Sequence, residues 1–172
     1  MNKPLLSILL AALLGGCATM GYDGPRATAQ LQPTRGNNVT GSVTFTQKGD
    51  KVVVAANVSG LKPNQEHGFH VHEKGDCSSG DGMSAGGHFN PKGNPHGHYS
   101  APAHHAGDMP NLKADAYGNA SMTAELDTIT VSEGPTSVVG RGLIVHANPD
   151  DYTSQPVGNA GARMACAVIQ RN

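Results

Sequence analysis

All nine histidines of this 172-residue chain lie between His67 and His146, and eight of them fall between His67 and His105. Imidazole is the commonest metal-ligating side chain, so clustering of this kind points to bound metal. A solubilising role would scatter the residues. The intervening residues are varied and the histidines form no run, which fits poorly with a low-complexity chelating tract. Aromatic residues make up only 4% of the chain, and turn formers are abundant, with 23 Gly and 11 Pro. That composition favours short strands joined by turn-rich loops around a core of Val, Ile, Leu and Ala. Lys and Arg number 12 against 13 Asp and Glu. No bulk nucleic-acid partner is therefore expected.

The apolar pattern agrees. Val39-Thr40-Gly41-Ser42-Val43-Thr44-Phe45 alternates as a half-buried strand does, Lys48-Gly49-Asp50 reads as a turn, and residues 51–58 as a second strand. A short strand is expected through Phe69-His70-Val71-His72, and further strands over 113–116, 120–126, 137–146 and 164–169. No window carries a helical period. Between them, from Gly75 to Asn111, lies a Gly-, Pro- and His-rich stretch of roughly 37 residues, far beyond the usual loop length. The expected fold class is an all-β, Greek-key antiparallel sandwich or barrel, Ig-like, with one long metal-binding loop.

The start of the chain reads differently. Residues 1–16 have the form of an export signal, with Lys3 ahead of the apolar stretch Leu5–Leu14. That stretch falls short of the about 20 apolar residues a membrane-spanning helix needs. It ends in Leu14-Gly15-Gly16-Cys17, which resembles a bacterial lipobox, in which the Cys becomes the acylated first residue of the mature protein. An ordinary signal peptide that happens to contain Cys17 is the competing reading. Lipidation also resolves an odd count of three cysteines, because Cys77 and Cys166 would remain to pair in an oxidising compartment. Residues 17–37 lack apolar periodicity and are expected to be a flexible tether, leaving 38–172 as the folded domain. Ala18 after Cys17 is compatible with sorting to the periplasmic side of an outer membrane.

His70 and His72 sit two apart in an expected strand, so both rings project from one face while Val71 points the other way. His146 ends another apolar strand and could reach the same face. The long loop offers His88, His96, His105 and Asp108, three imidazoles and a carboxylate, which is the kind of closed shell zinc prefers. Zinc binding would also account for the loop, folding a segment that has no core of its own.

His67–Glu73 (HGFHVHE), Gly86–Pro91 (GGHFNP), His105–Asp108 (HAGD), Gly140–His146 (GRGLIVH) and Ala162–Cys166 (ARMAC) together resemble the copper/zinc superoxide dismutase family. They occur in that family's order, over about residues 39–170. The resemblance implies copper on His70, His72, His88 and His146, and zinc on His88, His96, His105 and Asp108, with His88 bridging the two. It implies that Asp150 links a copper-ligand histidine to a zinc-ligand histidine, that Cys77 pairs with Cys166, and that Arg163 docks the superoxide anion. In the implied cycle one superoxide leaves as dioxygen and a second as hydrogen peroxide, with His88 accepting and then supplying a proton. His67 is expected to be structural, hydrogen-bonding near the copper ligands. His98 and His104 match no family ligand. Between His146 and Arg163 the chain has Asp150 and Asp151 but neither Lys nor Arg, unlike family members that steer the anion with basic residues there.

Two other readings use the same residues. A periplasmic copper/zinc carrier would need the ligands but not Arg163 beside an open copper position. A purely structural sandwich would need no bridging histidine. Whether the domain is a monomer or a homodimer is left open by the sequence.

Overall fold

Residues 40–48 and 51–59 form the longest hairpin of the computed structural model, which describes residues 24–172. Its inward residues Val43, Phe45, Val52, Val54, Ala56 and Val58 are buried, with Phe45 opposite Val54 and Val43 opposite Ala56. The turn is tight because Gly49 takes a positive φ of 60°, a conformation that costs glycine little. In chain order the strands are β1 (Arg26–Pro33), β2 (Thr40–Lys48), β3 (Lys51–Ser59), β4 (Glu66–His67), β5 (Phe69–His72), β6 (Leu112–Lys113), β7 (Ala120–Leu126), β8 (Gly142–His146), β9 (Arg163–Val168) and β10 (Gln170–Arg171). A 3-10 turn covers Met83–Ala85.

The main sheet runs β5-β8-β9-β1-β2-β3-β7, with β10 also on β1, and every ladder between these strands is antiparallel. After β3 the chain crosses to β5, returns to β7 beside β3, and crosses again to β8 beside β5. These non-local returns make the Greek-key pattern. A short β4–β6 ladder ties the segment entering β5 to the segment leading towards β7. The curled sheet encloses one apolar core that includes Leu31, Phe45, Phe69, Met109, Leu112, Leu143 and Ile169.

The expected tether is corrected over part of its length. Arg26–Pro33 is strand β1, paired with β2 on one side and with β9 and β10 on the other, and its Ala27, Ala29 and Leu31 are buried. Two of those inward residues are alanines, too small to stand out as an apolar stripe. The domain therefore begins before residue 38. Cys17, the signal over 1–16 and the first part of the tether lie outside the described residues. The strand expected over 137–146 begins only at Gly142. Ahead of it Gly140, at φ 79°, turns the chain so that Arg141 N donates to Val138 O at 3.0 Å.

The strand pleat divides the β5–β8–β9 segment into two faces. Phe69, Val71, Leu143 and Val145 join the core, whereas His70, His72, Ile144 and His146 face outward and are still buried. Residues 73–111 cover that outer face. Ile144 packs there with Ala85 and Cys166, and the Cys77–Cys166 disulfide fastens the loop to β9. Gly107 lies so close to β5 that a Cβ would strike Val71 O, and its carbonyl accepts from Val71 N at 2.9 Å. Arg141 donates to Glu73 O at 2.6 Å and sits 4.4 Å above the Phe89 ring.

Because Cys77 and Cys166 are 89 residues apart, their bond removes much of the unfolded chain's freedom. Replacing both by Ser should lower the unfolding free energy by about 2–5 kcal/mol in denaturant titrations. A change under about 0.5 kcal/mol would mean that the loop holds itself in place.

Candidate metal centre

The seven residues of the expected copper and zinc shells come together in two touching groups. In each of the sets His70, His72, His88, His146 and His88, His96, His105, Asp108, the candidate ligand atoms lie within 4.8 Å of one another. All seven residues are buried. Strand pairing sets the geometry. His70 and His72 stand on the outer face of edge strand β5, and the loop completes that edge, with Asp108 bridged to His70 and His88 to His72. His146 reaches the same face at the end of β8, where the β8–β9 register shifts.

The hydrogen bonds assign the ring nitrogens. An ionised carboxylate only accepts, so His70 Nε2 donates to Asp150 Oδ2 at 2.8 Å. His70 Nδ1 is left with a lone pair and no hydrogen-bond partner. His72 Nδ1 donates to Gly86 O at 2.9 Å and His146 Nδ1 to Gly161 O at 3.2 Å. Their Nε2 atoms, both lone-pair carriers, then face each other at 3.4 Å. His88 Nε2 has no hydrogen-bond partner either. Four lone pairs turned toward one point in a buried site suit a cation and nothing else the protein offers.

The second group is built around a carboxylate. Asp108 Oδ1 lies 2.9 Å from His88 Nδ1, 3.1 Å from His96 Nδ1 and 3.4 Å from His105 Nδ1. Asp108 Oδ2 accepts from Gly97 N at 3.2 Å and His105 N at 2.9 Å. Three imidazoles and one carboxylate fit zinc. His88 is common to both groups, with Nδ1 in this one and Nε2 in the other. Asp150 also spans them, since its Oδ1 accepts from His96 Nε2 at 2.9 Å while Oδ2 holds His70.

The charge states follow from burial and these bonds. Burial, then the neighbouring His88, His146 and Arg163, keeps His72 well below the usual imidazole range. Burial, then His70, does the same for His146. Burial lowers His88 to about 4 despite its bond to Asp108. For His96 burial also opposes charge, but hydrogen bonds to Asp108 and Asp150 outweigh it and raise the ring to about 9. Asp108 and Asp150 are buried, yet their histidine partners hold both carboxyls far below the usual range. Neutral imidazoles and ionised carboxylates are the forms that bind metal, so His72, His88, His146 and Asp108 are ready to ligate while His96 must give up a proton.

Arg163 pairs with His146 across the β8–β9 irregularity. Ala165 and Ala167 face the core, so strict alternation would turn Arg163 inward; the extra residue, Met164, puts it on the outer face instead. Its guanidinium donates to Gly82 O and Gly86 O, both at 2.6 Å. Gly86 O is also the acceptor of His72. Burial pulls the Arg163 pKa down while Asp81 supports its charge. A cavity of about 310 Å³ opens beside it, lined by Thr34, Arg35, Asn37, Asp81, Met83, Ala162 and Arg163.

His67 Nδ1 donates to His146 O at 2.9 Å, between strands rather than into either group. His104 Nδ1 donates to His105 O at 2.7 Å, and His98 bonds Ser100 Oγ at 2.8 Å. Neither belongs to the two ligand groups found among the described residues. Asn111, Gln155 and Arg35 escaped the sequence reading. Each contacts the site through backbone groups or at its rim, and amides and single arginines leave no spacing signature.

Comparison with known proteins gives the class. Residues 39–169 match the family described as copper/zinc superoxide dismutase (SODC). A protein named superoxide dismutase [Cu-Zn] 2 from Aquifex aeolicus (strain VF5) is 39% identical over 172 residues, covering 98% of this chain and 99% of that one. Superoxide dismutase [Cu-Zn] of Paramecium bursaria Chlorella virus 1 is 42% identical over 137 residues, 76% of this chain and 72% of the relative. The crystal structure of the clock protein EA4 superposes with a TM-score of 0.78 at 40% identity, covering 87% of this chain and 97% of that chain. The chain belongs to the copper/zinc superoxide dismutase family.

The shifted histidines make a prediction for the metal-free protein. His72, His88 and His146 take up protons on unfolding but not when folded, so stability should fall as pH drops from about 6.5 to 4, by up to about 1.4 kcal/mol per pH unit for each. His96 has the opposite sign: its contribution is complete below about pH 6.5 and disappears as pH rises through about 9. Urea titrations should therefore show maximal stability near neutral pH, with the steeper decline on the acid side. A flat profile between pH 4 and 6.5 would contradict these charge states.

Proposed function

We propose that the chain converts superoxide into dioxygen and hydrogen peroxide, with copper held by His70, His72, His88 and His146 and zinc by His88, His96, His105 and Asp108. The observation that carries this reading is His88, whose Nε2 lies in one buried ligand group and whose Nδ1 lies in the other. A metal carrier has no use for a shared ligand. Bound copper supplies the one-electron redox change, while zinc, which has none, shapes the loop.

The protein's own groups do the rest. Asp150 fixes the rings of His70 and His96 by accepting one N–H from each. His88 is poised to take a proton at Nε2 as dioxygen leaves and to return it as peroxide forms, the second proton coming from solvent. Two of the five Arg163 donors are committed to Gly82 O and Gly86 O, which aims the guanidinium and leaves further N–H groups for a small anion. Arg35 lines the same cavity as Arg163 and adds positive charge beside it, whereas the segment between His146 and Arg163 carries neither Lys nor Arg.

The test is superoxide disproportionation by protein of measured copper and zinc content. The rate should approach the diffusion ceiling, and activity no greater than that of free copper would sink the enzyme reading. His146→Ala should abolish turnover and keep zinc, whereas loss of both metals would refute the ligand division. Arg163→Ala should retain copper and react more slowly; unchanged kinetics would remove its anion-docking role.

We also read the protein as exported and lipid-anchored through Cys17, on the periplasmic side of an outer membrane. Lys3, the Leu5–Leu14 stretch and Leu14-Gly15-Gly16-Cys17 support this. Cys17→Ser should move the protein from the membrane to the soluble fraction of lysed cells, with loss of incorporated fatty acid. Membrane retention of that variant would count against the anchor.

A further inference from the structure

Two side-chain amides hold the two ends of one hydrogen bond. The bond runs from His96 Nε2 to Asp150 Oδ1 at 2.9 Å. At the Asp150 end, Asn111 makes a two-point contact with the backbone: Nδ2 donates to Asp150 O and Oδ1 accepts from Asp150 N, each at 3.0 Å. At the His96 end, Gln155 does the same: Nε2 donates to His96 O and Oε1 accepts from His96 N, each at 2.9 Å. A carboxamide matched to one residue's N–H and C=O fixes rotation as well as position.

Asn111 is buried, but Gln155 is exposed and lies 59 residues from His96. An exposed glutamine ordinarily spends its polar atoms on water. Here both reach back to His96, with Nε2 also donating to Thr153 O at a longer 3.3 Å. The same segment closes onto the hydrogen bond itself, because a Cβ on Gly158 would strike Asp150 Oδ1 and come within 2.6 Å of His96 Nε2. No other side chain hydrogen-bonds the His96 backbone among the described residues.

We propose that Gln155 is a positioning residue for the zinc group. By clamping the His96 backbone, it aims His96 Nδ1 at Asp108 and His96 Nε2 at Asp150, and thereby sets how tightly zinc is held. Gln155 touches no ligand atom and acts through His96. The inference rests on the zinc assignment made above. Removing a group that orients a metal ligand typically costs about 10–100-fold in affinity. The lower end applies here, since Asp150 still holds the ring after the clamp is lost.

The experiment measures zinc affinity of the metal-stripped full chain by competition with a chelator, and copper(II) affinity of the zinc-saturated protein. Gln155→Ala should weaken zinc about tenfold, leaving copper affinity and the melting temperature of the metal-free protein unchanged. Gln155→Glu keeps an acceptor for His96 N but loses the donor to His96 O, so its zinc affinity should fall between wild type and Gln155→Ala. Zinc affinity equal in all three proteins overturns the inference, as does a loss shared equally by zinc and copper, which would mark general loosening. A wild-type chain that fails to bind one zinc would overturn the ligand assignment, and this inference with it. Stoichiometric wild-type binding with unchanged variants overturns the Gln155 role alone.

Discussion

Asp108 is the constraint on which the covering loop depends. A fully buried carboxylate is costly unless its lone pairs are used, and Asp108 is 0% exposed. Two backbone N–H groups and three imidazole nitrogens surround it, and those imidazoles come from three separate stretches of the loop. The loop backbone pairs Asp108 beside His70 and His88 beside His72, so satisfying this one acid also brings the loop histidines against the strand histidines. The two ligand groups are thus one folding event. Zinc would replace protons and weak contacts at this centre by coordination, which is why metal and loop order are coupled.

The β-scaffold contributes a rigid face with one deliberate irregularity. His70, His72 and His146 lie at pleat positions that alternate with core residues Phe69, Val71 and Val145. His70 is therefore anchored by packed neighbours on both sides, and His72 and His146 by Val71 and Val145 on one. At Met164 the alternation breaks, and the break lets a guanidinium join the outer face beside His146. Arg163 is then aimed by carbonyls of the loop, one of which also orients His72. The guanidinium and the His72 ring are held together through Gly86 O.

The segment between β8 and β9 closes the arrangement from the far side. Asp150 ties the two groups through their rings, Asn111 and Gln155 tie the backbones, and Gly158 lets the segment come close enough. The acceptors of His70, His72 and His146 set those ring tautomers before any ion arrives, whereas His96, which donates from both nitrogens, must release a proton to bind metal. The neutral state of His72, His88 and His146 and the ionised state of Asp108 follow from the same packing.

The sequence by itself determined the strands with strong alternation, such as β2 and β3, because inward Val and Phe residues leave a period of two. Through its resemblance to the family's motifs it also indicated which histidines and which aspartate come together. It misjudged β1, whose inward Ala27 and Ala29 are too small to signal burial, and it ran β8 back through the turn at Gly140. Only the tertiary structure decided which nitrogen of each ring is free, because that depends on acceptors such as Gly86 O, Gly161 O and Asp150, which lie 14 to 80 residues away. The turning of Arg163 to the outer face and the grip of Gln155 on His96 belong there too. Both come from register and contact between distant segments, and neither leaves a local pattern that a sequence can carry.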